Sequence, residues 1–149
     1  MATIGIAFYK DKKYIFNRLV SMWTRGPYSH TELVFSGGLE QESECYSSSY
    51  TDGGIRRKYI TLTSNKWDYI ELQISDELFN SAKAWMELNI GKSYDVLGLV
   101  GFIIGPIPDS RDKYFCSEAV GCALGVKQSW RLNPNTLYTI VSSKLLSGI

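Results

Sequence analysis

The chain has 149 residues, of which 44% are hydrophobic, 21% charged and 13% aromatic, and its sixteen basic and fifteen acidic side chains leave a net charge of +1. That length and composition fit one globular domain over residues 1–149, large enough to bury a working core. The balanced charge gives no global field to attract nucleic acid or an anionic membrane, and three cysteines without close pairing argue against a disulfide framework or a zinc knuckle.

In chain order, Thr3 to Tyr9 has strand composition, and Lys10 to Lys13 turns into an amphipathic stretch carrying Ile15, Phe16, Leu19, Val20, Met22 and Trp23. That spacing predicts a helix, stopped at Gly26-Pro27. Tyr28 to Phe35 alternates, meets Ser36-Gly37-Gly38, and resumes in extended form from Leu39 to Ser49. The pattern predicts a hairpin centred on Gly37, which sets His30 opposite Glu44 with Glu42 diagonal; a slip of one would present Ser43 or Cys45 instead. Asp52-Gly53-Gly54 marks a second turn, followed by strands over Ile55 to Leu62 and Trp67 to Ile74 in an antiparallel meander.

Ser75-Asp76-Glu77 supplies a cap and first-turn acids for a helix that ends near Gly91. Tyr94 to Ile104 reads as a buried helix and Gly105 to Lys113 as a loop. The apolar run Val96 to Ile107 is interrupted by three glycines and Pro106 and falls short of the roughly 20 residues of a spanning helix. Cys116 to Leu124 forms a short helix closed by Gly125. Asn133-Pro134 then opens a last helix to about Leu146. The order of elements predicts an α+β fold, helices packed on an antiparallel sheet of about five strands. No basic segment leads into an apolar signal core, so a cytoplasmic location is expected.

Chemistry centres on Cys116 and His30. A helix-start cysteine meets unpaired N–H groups and the positive end of the helix dipole, which favour a thiolate; Cys122, further along the same helix, does not. A cysteine nucleophile needs a base, and His30 is the sole histidine. On a strand His30 shares a face with Glu32, placed to orient the ring. The competing readings are a cysteine that only packs and a histidine idle on a sheet surface. Arg56, Arg57 and Lys58 can meet an anionic substrate or form a solvated strand end. No Gly-rich phosphate loop, metal-ligand pair or serine elbow is present, so no cofactor or metal is expected.

Three motifs in order, Tyr28-Ser-His30-x-Glu32-Leu, Gly91-x-x-Tyr94-Asp95 and Tyr114-Phe-Cys116-Ser-Glu118-Ala, resemble the circularly permuted branch of the NlpC-type papain-like hydrolases. That branch includes relatives of lecithin retinol acyltransferase, and its histidine precedes its cysteine. The serines at 47–49 and Asp52-Gly53-Gly54 are similar to small phage and prophage proteins of this kind. The resemblance implies a cysteine helix against a histidine-bearing sheet, and a thioester formed with a peptide, amide or acyl substrate. It carries over Cys116 and His30 directly. The third polar residue stays open among Glu32, ranked first, Glu44, Glu42 and the serines from Ser43 to Ser49. Tyr28 is expected to offer a hydroxyl to the oxyanion, with Ser117, Tyr94 and Asp95 as supports. The alternatives are a catalytically silent binding module of a phage and a lipid-directed acyltransferase whose groove is the Val96 to Ile107 segment.

Overall fold

The computed structural model describes residues 1–96 and 112–143. Its elements are β1 (Ala2–Tyr9), α1 (Ile15–Trp23), β2 (His30–Ser36), β3 (Glu42–Ser49), β4 (Gly54–Thr61), β5 (Trp67–Ile74), α2 (Asp76–Leu88), β6 (Ser93–Tyr94), β7 (Lys113–Tyr114), α3 (Cys116–Ala123), a short 3-10 helix (Ser129–Arg131) and α4 (Pro134–Ser142). The strands form one curled sheet in the order β5-β1-β2-β3-β4-β6-β7. All neighbours are antiparallel except β6 and β7, which run parallel. The fold is α+β as expected, but the sheet has seven strands rather than about five, and β5 returns to β1 instead of continuing the meander past β4.

Local chemistry accounts for the helices that frame the sheet. Ser75 caps α2 by accepting the Leu78 N–H, and Asn133 caps α4 through the Thr136 N–H with Pro134 at the first helical position. Strand alternation splits the sheet into two faces. Ile4, Ile6, Phe8, Leu33, Phe35 and Tyr46 pack beneath Ala82 and Met86 of α2, Ala119 and Val120 of α3, and Leu137 and Val141 of α4. Each fully buried side chain of this size contributes roughly 1.5–3 kcal/mol. The opposite face carries a smaller cluster of Ala7, Val34, Cys45, Leu62 and Trp67. Cys116, Phe115, Tyr94 and Val20 form a third cluster with Phe16 and Trp23, and it joins α1 to the start of α3.

Tyr94, expected to begin a helix, instead lies in β6, and Lys113, expected in a loop, lies in β7. The rest of the expected helix over 94–104 and loop over 105–113, with the groove alternative for Val96 to Ile107, falls mostly on residues 97–111, outside those described. So does the last turn expected for α4. Among the described residues no helix is long and apolar enough to cross a membrane.

Candidate active site

The lead into β2 is fixed before the histidine is reached. The Asn135 side chain of α4 accepts the Tyr28 backbone N–H (3.0 Å), donates to the Tyr28 carbonyl (2.9 Å) and donates to Thr24 Oγ1 (2.6 Å). The Ser29 N–H then donates to the Tyr9 carbonyl (3.0 Å), which starts the β1–β2 ladder at the Tyr9–His30 pair. Along β2, alternation puts His30 and Glu32 on the face away from α2 and α4. Their side chains meet at 2.6 Å, His30 Nε2 to Glu32 Oε1.

Glu32 is fully buried and receives a second partner from two strands away. The Leu33–Tyr46 pair sets Ser47 beside Glu32, and Ser47 pairs with Arg56 of β4. Arg56 therefore reaches across β3 and grips the carboxylate with both guanidinium nitrogens, Nη1 to Oε2 at 2.7 Å and Nη2 to Oε1 at 2.5 Å. Its Nε donates to Asp52 Oδ2 at 2.9 Å. Only 16% of the Arg56 side chain is exposed.

Cys116 opens α3. Phe115 before it is extended (φ −78°, ψ 158°), and the Phe115 N–H donates back to Glu118 Oε2 at 3.1 Å, half of a capping box. Ser48 of β3 donates to the Tyr114 carbonyl and Ser117 to the Leu132 carbonyl, so the helix start is tied down on both sides. The Cys116 side chain is fully buried and lies near enough to the His30 ring to raise its pKa. All three cysteines are free.

Charge follows this geometry. Burial on its own lowers the His30 pKa, but the Glu32 carboxylate and the hydrogen bonds to Cys116 and Glu32 overcome it and raise the value from 6.5 to about 9. Burial likewise disfavours the charged form of Glu32, and the Arg56 guanidinium, with His30, reverses this and lowers it to about 2. Cys45 behaves differently: burial pushes its thiol up, reinforced by the Glu32 charge. Burial, with the charges of Cys116 and Asp95, also pushes the Tyr94 phenol up.

The structure thus brings His30, Glu32 and Cys116 together and sets Glu44 elsewhere. The five residues between Ser36 and Glu42 and an irregularity between Val34 and Ser36 move the register, so Glu44 pairs with Ser36 rather than facing His30. Its carboxylate is held by Arg57 (2.9 Å) and Lys83 (3.1 Å). Glu42 is exposed at the far end of β3. Tyr28 does not offer a free hydroxyl to an oxyanion: it donates to Asp68 Oδ2 at 2.5 Å and packs its ring on Phe8 and Tyr138. Tyr94 contacts the cysteine cluster, and the Asp95 N–H donates to the Tyr114 carbonyl, extending the β6–β7 pairing.

Sequence reasoning left Arg56 among three undifferentiated basic residues and read Asp52 only as a turn. The available signal was period-two alternation: Arg56 and Lys58 share a face of β4 and Arg57 does not, as the Ser47–Arg56 and Tyr46–Arg57 pairs require. Beside the histidine lies a cavity of about 490 Å³, lined by His30, Glu32 and Arg56 together with rings of Tyr9, Phe16, Tyr50, Trp67 and Tyr94. Among the described residues no group of three or more His, Cys, Asp or Glu side chains is placed to hold a metal ion. The chain matches no protein-family model and no curated protein.

Proposed function

We propose that the protein is a cysteine hydrolase of the permuted papain-like kind, acting through a thioester, with Cys116 as nucleophile, His30 as base and Glu32 as the residue that orients the base. The observation that carries this reading is the helix-start thiol set beside the only imidazole, itself braced by a buried carboxylate. A nucleophile, a base and an orienting group in sequence is the arrangement acyl transfer requires.

In this mechanism His30 takes the thiol proton and the sulfur bonds to the substrate carbonyl carbon. The first-turn N–H groups of α3 stabilise the oxyanion. When the intermediate collapses, the bond to the amine or alcohol breaks and the imidazolium protonates that leaving group. Water, deprotonated by His30, then cleaves the thioester, releasing a carboxylic acid and restoring the thiol. The ring-lined cavity offers the acyl or peptide portion a mostly apolar seat next to His30.

A second reading, a silent module that keeps the fold and binds a partner, is favoured by the complete burial of the Cys116 side chain. Alkylation with iodoacetamide separates the two. Hydrolase chemistry requires Cys116 to react faster than the partly exposed Cys122, and His30→Ala to slow it by roughly tenfold or more. Equal rates at the two sulfurs, unaffected by His30→Ala, support the silent module. A panel of amide, ester and thioester probes with mass spectrometry of the Cys116 adduct then identifies the bond cleaved.

A further inference from the structure

Three side chains from separate places, Glu32 on β2, Asp52 in the turn after β3 and Arg56 on β4, form one connected chain behind the His30 ring. A buried carboxylate beside an imidazole has two ways to lose its function: it can rotate away or take up a proton. The two parallel bonds from Arg56 oppose both, because a planar fork fixes the carboxylate plane as well as its charge. Asp52 in turn fixes the guanidinium plane through Nε, and Asp52 is itself held by Lys58 at 3.4 Å. The turn that supplies Asp52 is anchored in the sheet, since the Tyr94 N–H donates to the Gly53 carbonyl at 3.2 Å.

We propose that Arg56, held by Asp52, is a positioning residue of the site: it fixes the Glu32 carboxylate and through it the angle at which His30 meets Cys116. The inference rests on the cysteine-hydrolase reading for its kinetic consequence, though not for its structural one. Groups facing the His30–Glu32 pair from the packed elements are Tyr9 on β1, Cys45 on β3, Arg56 and Lys58 on β4, Trp67 on β5 and Cys116 on α3. Of these only Arg56 carries the bidentate grip, so the role is assigned to that residue.

His30 is the only histidine, so its ring gives a single imidazole signal whose titration by NMR reads the site directly. Removing a cation that acted only by its charge would raise the His30 midpoint. Loss of positioning lowers it, because the imidazolium loses its carboxylate. In Arg56→Gln the midpoint is expected to fall from about 9 toward 6.5, and Cys116 alkylation to slow by roughly ten- to a hundredfold. Arg56→Lys, which restores a point charge without the fork, is expected to recover only part of both. Asp52→Asn, at the more exposed outer end, gives a smaller change in the same direction and serves if Arg56→Gln fails to fold. A midpoint that stays or rises in a folded variant overturns the proposal. If wild-type Cys116 reacts no faster than Cys122 while the midpoint still falls in Arg56→Gln, the positioning role stands and the hydrolase reading fails.

Discussion

Each of the two buried carboxylates on this sheet has its own cations, and that division decides which one can act on the histidine. Glu32 meets His30 and Arg56, whereas Glu44 meets Arg57 and Lys83. Glu32→Gln is expected to lower the His30 midpoint and slow Cys116 alkylation by roughly tenfold or more. Glu44→Gln is expected to cost about 1 kcal/mol of stability or less and leave the alkylation rate unchanged, since its partners Arg57 and Lys83 are partly exposed and lie away from the site. Chemical denaturation alongside alkylation checks both, and a Glu44→Gln variant that lost thiol reactivity would return that residue to the site. The separation was legible in the sequence only in part. Alternation on β2 sets Glu32 on the face of His30, but only the length of the connection between Ser36 and Glu42 tells that Glu44 pairs with Ser36 instead.

At the level of elements, the site depends on connections more than on the strands themselves. Gly54 opens β4 with φ at +154°, and a Cβ there would lie 2.0 Å from the Lys92 carbonyl, where β6 joins the sheet. Gly54→Ala is expected to destabilise the fold by roughly 1–3 kcal/mol or more and to disturb Asp52 two residues earlier. A thermal melt reads the first effect, the His30 signal the second. Strands β1 to β5 and helices α1 to α4 were legible because periodicity acts over seven or more residues and caps carry their own polar signal. Strands β6 and β7 have two residues each, too few for any period, and the return of β5 to β1 is a long-range pairing with no local mark.

For the molecule as a whole, the His30–Glu32 pair sets a window of pH. Glu32 is held at about 2, below its ordinary 4.5, so its contribution to stability is complete above 4.5 and is lost as pH falls through 2. His30 is held at about 9, above 6.5, so its contribution is complete below 6.5 and is lost as pH rises through 9. The pair therefore stabilises the fold most between those limits, and thermal unfolding midpoints should decline on both sides. In His30→Asn the alkaline decline tied to this group should vanish; an unchanged alkaline slope would show that it arises elsewhere.

The imidazole, carboxylate and guanidinium lie within residues 30–56, and the sulfur that meets them is sixty positions further along at Cys116. During synthesis the brace is thus complete in the chain before the ribosome has made the helix bearing the thiol. A product terminated early carries a base without a nucleophile, and joining the two halves is left to the late docking of α3 against β2 and β3.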